Sequence, residues 1–290
     1  MERRKLKRKV QRGISHIFAI LMFAFFYIPV IVMVVFSFNN VAKVASPNQR
    51  WIGFTTKWYS VLMNDTALWK ITCTTLLVAI ITTVISVIIG TIGAVGLKKW
   101  DFKWKKIITT SLYVPIVIPE IVLAVALMLV LKAVGIKLGL IPMIIGNVTL
   151  TLPYVFISVK TRLVGMDPSI EEASLDLGAD RVYTFLHVTL PSIMPGIVSG
   201  GFLAFTLALG DLIVLNFLAD VNTVTLSVKI YSMIKRGISP EINALATIIL
   251  FVLLLLAVLA STITLLKAKI ENKKETELAK AVMAEENNII

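Results

Sequence analysis

Six segments of this chain are apolar for about 20 residues or more, the length an α-helix needs to cross the hydrocarbon core of a bilayer. They cover residues 14–38, 71–97, 107–131, 138–159, 196–218 and 242–266, with Glu120 inside the third and Asp211 inside the fifth. Charged residues are only 16% of the chain, against about 25% in ordinary soluble domains, and they gather in short blocks between these segments. The expectation is an all-α integral membrane protein with six transmembrane helices. A signal peptide is excluded as an account of the first segment, because the run from Gly13 to Phe38 is too long for an h-region and lacks a small-residue cleavage site.

Positive charge sets the orientation. Seven Lys or Arg residues lie in the first twelve positions, five between Lys98 and Lys106, three between Lys160 and Pro195, and five after residue 266. The other side of the membrane holds nine. The bias of basic residues toward the cytoplasm therefore predicts both termini on the cytoplasmic side. The same distribution accounts for the net charge of +12 without nucleic-acid binding, since most basic side chains flank apolar spans. On this reading, residues 1–13 are a basic cytoplasmic N-terminus, 14–38 the first span, 39–70 an extracytoplasmic loop, 71–266 the membrane core and 267–290 a cytoplasmic tail.

Few residues offer chemistry. Cys73 is the only cysteine and sits in an apolar span, which predicts a packing role. His16 and His187 have no partners at metal-ligand spacing. No G-x-x-x-x-G-K-[ST] loop is present, so ATP hydrolysis has no site in this chain. An intramembrane enzyme would need convergent catalytic groups, and only Glu120 and Asp211 lie within spans. An acidic residue within a span is costly and usually faces a protein interior or a water-filled path. Glu120 follows Pro119 and Asp211 follows Gly210, so each stands where a helix can loosen. Two readings stay open for them: a path for a cationic cargo, or helix ends paired to lysines such as Lys132. Trp58 and Tyr59, in the loop of residues 39–70, are open to two readings as well, as anchors at the membrane interface or as aromatic faces for an ammonium group.

The cytoplasmic segment 167–191 is the most informative loop. Asp167 can cap a helix, Pro168 suits its first turn, Ser169 and Glu172 have capping-box spacing, and Gly178 can end it. A second short helical stretch, 179–188, then leads to Pro191. Physics alone leaves a plain interfacial hairpin open beside a docking projection. Glu172-Ala173-Ser174, then Gly178 three residues on, then Val188-Thr189-Leu190-Pro191 after nine more, resembles the EAA motif of bacterial ABC importer permeases, with Ser174 and Val188 as its departures.

The stretches Trp51-Ile52-Gly53-Phe54-Thr55, Val117-Ile118-Pro119-Glu120-Ile121, Leu152-Pro153-Tyr154-Val155 and Pro240-Glu241-Ile242-Asn243-Ala244-Leu245 are similar to the spermidine/putrescine permeases of PotC type. Where those would carry a further acid beside Asp211, this chain has Gly210.

The resemblance implies a type I ABC importer permease architecture, a non-catalytic subunit in the bacterial cytoplasmic membrane. Glu172, Ala173, Gly178, Leu190 and Pro191 would form the contact with the ATPase. It also implies partners: a second, PotB-like permease subunit, a PotA-like ATPase dimer that binds ATP and Mg, and a PotD-like polyamine-binding protein outside the membrane. Alternatives are a permease of the same fold for another small solute, such as a metal, thiamine or phosphonate, and a secondary carrier driven by an ion gradient.

Overall fold

The computed structural model describes residues 2–41, 50–236 and 240–255, with residues 258 and 262, and divides them into two units. One comprises the described residues of Met1–Asn64 and Arg236–Ile290, the other Asp65–Lys235. Regular structure is helical throughout, apart from an isolated bridge between Asn39 and Phe54.

In the first unit, α1 (Glu2–Phe36) contains an apolar stretch, Ser15–Phe36, that is long enough to span. After it the chain folds back on itself. Asn39 Nδ2 donates to the Arg50 carbonyl at 2.9 Å, and the Ile52 N–H donates to Asn39 Oδ1 at 3.0 Å. The short helix α2 (Lys57–Met63) follows. The same unit holds α12 (Pro240–Leu255), an apolar helix shorter than a full span. The sixth predicted span, 242–266, lies outside the described residues beyond 255, apart from 258 and 262.

The second unit is built on α3 (Thr66–Lys99), α6 (Leu140–Val164) and α9 (Leu190–Gly210), each part of a helix long and apolar enough to cross a membrane. α3 and α6 run parallel in a register of 65 residues. Ser86 and Thr151 hydrogen-bond across the seam at 2.8 Å, and Lys98 Nζ donates to the Leu163 carbonyl at 2.7 Å, both at that separation. The stripe repeats every four residues, as one helix face requires. It pairs Val78 with Met143, Thr82 with Asn147, Gly90 with Val155 and Ala94 with Val159, all buried. α9 lies against both helices through its small residues: a Cβ at Gly200 would stand 3.1 Å from Val155 Cα, and one at Gly201 3.0 Å from Val87 Cγ2. Without a hydrophobic force between helices in lipid, such close backbone approach is what gains dispersion contact.

Two predicted spans are broken instead of continuous. The third divides into α4 (Lys105–Val117) and α5 (Glu120–Ala133), bent by 113°. Pro119 lacks an N–H and disfavours helical geometry at the residue before it, so Ile118 and Pro119 are extended, with ψ of 134° and 130°. The fifth begins earlier than residue 196. A helical run from Arg181 to Gly210 includes Pro191 and Pro195, passing from α8 (Arg181–Thr184) through a π-turn, Phe185–Thr189, into α9. It ends at Asp211, extended at ψ 129°, before the short α10 (Ile213–Leu218). The π-turn, closed by the Leu190 N–H on the Phe185 carbonyl, carries the helix without interruption into Pro191. The amphipathic α11 (Leu226–Arg236) closes the unit. Cys73 is exposed on α3, so the packing role read from the sequence is not where the fold places it.

Candidate functional site

The two intramembrane acids come together. Glu120 starts α5 just after the break, and Asp211 terminates α9, so each belongs to an interruption of a span. Asp211 is 6% exposed; its Oδ1 accepts from the Val214 N–H at 3.1 Å, while Oδ2 has no hydrogen-bond partner among the described residues. The ionisable group beside it is Glu120, not a lysine. A buried carboxylate beside a half-buried one is repelled by it, and a cation between them relieves both the repulsion and the desolvation. The helix-end reading and the path reading of the sequence thus meet in one place: the acids are at helix ends, and those ends are inside the membrane unit.

The core around the acids is apolar. One buried cluster gathers Val78, Ala124, Met143, Val214 and Leu218, and another Ala94, Val155, Phe156, Val159 and Ile193. A polar layer of Thr82, Ser86, Asn147 and Thr151 separates them along the α3–α6 seam. Asn147 is fully buried, yet neither Nδ2 nor Oδ1 finds a partner among the described residues, and the same holds for Thr82 Oγ1. An unpaired buried amide costs about 1–3 kcal/mol, so this layer is a place where the fold gives up stability. Sequence reasoning passed over it. The available signal was a lone Asn in an apolar span, with Thr82 and Ser86 spaced one turn apart on another.

In the first unit, Trp58 is 4% exposed and donates from Nε1 to the Asn39 carbonyl at 2.9 Å. The Tyr59 hydroxyl lies 2.6 Å from Ser37 Oγ, and its ring packs on Phe38 at 5.1 Å between centroids. Lys57 Nζ stands 5.9 Å from the Trp58 ring centre, a cation already over that aromatic face. Both rings fasten the chain after α2's start to the end of α1.

The hairpin of residues 167–191 is made differently. Its first helix, α7 (Pro168–Asp176), is capped by Asp167, whose side chain accepts from the Ser169 N–H at 3.0 Å. Hydrogen bonds from the Ser169 backbone and then from its side chain hold the Asp167 carboxyl below the usual carboxylate range. Asp180 caps α8 in the same way through the Tyr183 N–H. Between them Gly178 turns the chain at φ +89°, a conformation open to glycine at no steric cost.

α7 buries no residue. Glu172, Ala173 and Gly178 are exposed. Around them Ile170, Leu177, Val182, Tyr183 and Leu186 present exposed apolar surface, Leu177 at 90% exposure. A shallow cup between α7 and α8, lined by Ala173, Leu177, Gly178, Tyr183 and Leu186, opens at this face. Leu190 packs inward against the core, and Pro191 is exposed at the start of α9. The acid that contacts the rest of the chain is Glu171: it accepts a short hydrogen bond from Thr189 Oγ1, and Lys99 Nζ lies 3.8 Å away. His187 stacks on Tyr183 with Nδ1 3.1 Å from the Tyr183 carbonyl, a local structural role. Among the described residues no group of His, Cys, Asp and Glu could hold a metal ion.

Comparison with known proteins places these features. Residues 86–272 match the family of binding-protein-dependent transport system inner membrane components. The spermidine/putrescine transport system permease protein PotC of Escherichia coli K12 is 39% identical over 240 residues, 83% of this chain and 89% of that one. PotC of Haemophilus influenzae is 36% identical, covering 85% and 95%. The putrescine transport system permease protein PotI of E. coli K12 is 35% identical, covering 80% and 83%. Among solved structures, a bacterial ABC transporter involved in the import of the acidic polysaccharide alginate aligns with a TM-score of 0.67 at 19% identity, over 88% of this chain and 95% of that one. A methionine ABC transporter in an inward-facing state aligns with a TM-score of 0.58 at 20% identity, over 68% and 95%. At those identities the likeness is one of fold.

Proposed function

This chain belongs to the family of binding-protein-dependent transport inner membrane components, and from that premise we propose that it is a permease subunit importing polyamines, spermidine or putrescine, by alternating access. The observation that carries the reading is the Glu120–Asp211 pair, an anionic site built at two helix breaks within the membrane unit of a chain whose relatives are named for those cations. A polyamine ammonium group is attracted to such a site more strongly than in bulk water, because the surrounding dielectric is lower.

The chain crosses the bacterial cytoplasmic membrane six times with both termini inside, the broken pair α4–α5 counting as one span and the apolar run 242–266 as the sixth. It works beside a second, PotB-like permease chain, a PotA-like ATPase dimer that holds ATP and Mg, and a PotD-like binding protein outside. The exposed apolar face around Ala173 and Gly178, with Glu172 at its edge for charge-assisted hydrogen bonds, docks on the ATPase. ATP shifts the equilibrium between outward and inward states only through the difference in its affinity for them. Trp58 and Tyr59 contribute to the outer mouth by holding the loop after α1 in shape.

The test is uptake of radiolabelled spermidine into proteoliposomes that contain the complete complex, with and without ATP. ATP-dependent uptake in the wild type that is abolished by Asp211→Asn, in a complex that still assembles, is the expected result. Undiminished uptake in Asp211→Asn removes the acidic pair from the path. No spermidine or putrescine uptake by an assembled wild type with active ATPase transfers the reading to another small solute.

A further inference from the structure

α7 has no buried residue, so its attachment to the membrane helices rests on polar ties. One tie stays inside the hairpin, between Ser174 Oγ and Thr184 Oγ1 at 3.0 Å. The other is Glu171. Its carboxylate accepts from Thr189, fully buried at the base of α9, and faces Lys99, the last residue of α3, at 3.8 Å. The Lys99 ammonium in turn lies 5.8 Å from the centre of the Phe185 ring, within the π-turn that joins the hairpin to α9. In that turn the Leu190 N–H reaches back to the Phe185 carbonyl, a wide ring that stores an adjustable step in an otherwise continuous helix.

The geometry points to Glu171 as the positioning residue that delivers movement of the docked hairpin to α3 and α9 together. The inference rests on the proposed function for the existence of a docked ATPase, but not on the identity of the cargo. α9 runs from this joint to Asp211, 21 residues or about 30 Å of helix, and it packs closely on α6 at Gly196 and Gly200 and on α3 at Gly201. A pull at Thr189 therefore reaches the acid at the far end as a rigid displacement. Glu172, the neighbour that matches the family motif, faces outward and belongs to the docking surface; Glu171 faces inward and belongs to the transmission.

The deciding experiment uses the complete complex in proteoliposomes and measures two quantities: cargo taken up per ATP hydrolysed, and the nucleotide-driven change in distance between spin labels on the outer ends of the two permease chains. Glu171→Gln should retain ATPase binding and hydrolysis while both quantities fall at least about fivefold, the lower end of ordinary coupling between sites. The charge exchange Lys99→Glu with Glu171→Lys should restore them relative to either single change, which a merely structural contact would not require. Wild-type values in Glu171→Gln overturn the inference. If that variant fails to assemble, Thr189→Val, which removes only the donor, decides: unchanged values in it overturn the inference as well. A wild type that shows the nucleotide-driven change but no spermidine uptake refutes the polyamine reading and leaves this transmission standing. A wild type that transports, with an equally efficient Glu171→Gln, does the reverse.

Discussion

The α3–α6–α9 seam and the hairpin of residues 167–191 solve opposite problems. The seam is held by close approach of backbones, with Val78, Met143, Val155, Val159 and Ala204 fully buried and glycines where helices touch. The hairpin buries nothing in α7 and is shaped by Asp167, Asp180 and Gly178 at its caps and turn. One region is specified by volume, the other by backbone hydrogen bonding. A surface meant to meet another protein has to keep its apolar side chains unpaired within its own chain, and capping is how a helix keeps its shape without a core.

That contrast breaks first at the seam. Gly200→Val places side-chain atoms against Val155 and Ser158, where a Cβ alone already stands at 3.1 Å. It should cost about 3 kcal/mol, read as a lowered melting midpoint of the detergent-solubilised complex. Gly210→Ala, where nothing lies within 4 Å, should leave that midpoint in place. Equal effects at the two glycines would remove the argument from close packing.

In the hairpin the order of effects reverses. Glu172→Lys should weaken ATPase association about tenfold through the altered charge at the interface, in a pull-down with the purified ATPase, while melting of the membrane helices stays unchanged. A shifted melting point would tie Glu172 to the fold instead of to docking.

Asn147→Leu sharpens the picture within the seam. Removal of a buried amide with no partner among the described residues should raise stability by about 1 kcal/mol. A variant that melts higher but transports less would show that the polar layer is retained for movement.

The smallest effect concerns pH. The Asp167 carboxyl is held below its ordinary value, so its contribution to the hairpin is full above the unfolded value of about 3.9. It is lost only as pH falls through the lower folded value. Hydrogen exchange at the Ser169 amide should therefore show unchanged protection, after correction for intrinsic rates, from pH 8 to 5. A loss of protection near pH 6 would contradict the assignment of the cap to Asp167.

The features legible in the sequence were those with local causes. Apolar length located the apolar helices at 15–36, 66–99 and 140–164, with ends up to five residues off, because the bilayer imposes a minimum run that any reader can count. The cap at Asp167 and the turn at Gly178 stood in the sequence for the same reason, since each depends on neighbours within three residues. The break at Pro119 was visible as a proline, but its size, 113°, was not, because a proline can kink a helix or end it according to what packs around it. The role of Glu171 was hidden behind its neighbour Glu172. Which of two adjacent acids on a short helix points inward depends on where the base of α9 and the end of α3 arrive.

By itself, then, the sequence determined that this chain lives in a membrane, which of its loops is basic, where its long apolar runs lie, and the spacing that marks its family. Tertiary structure alone decided that Glu120 and Asp211 meet, that Ser86 bonds Thr151 across the α3–α6 register, and that Glu171 joins three elements. The difference is one of range. Hydropathy, capping and turn geometry are settled within a few residues of chain, whereas a pair of acids 91 positions apart is brought together only by the way α3, α6 and α9 pack and by where two helices stop.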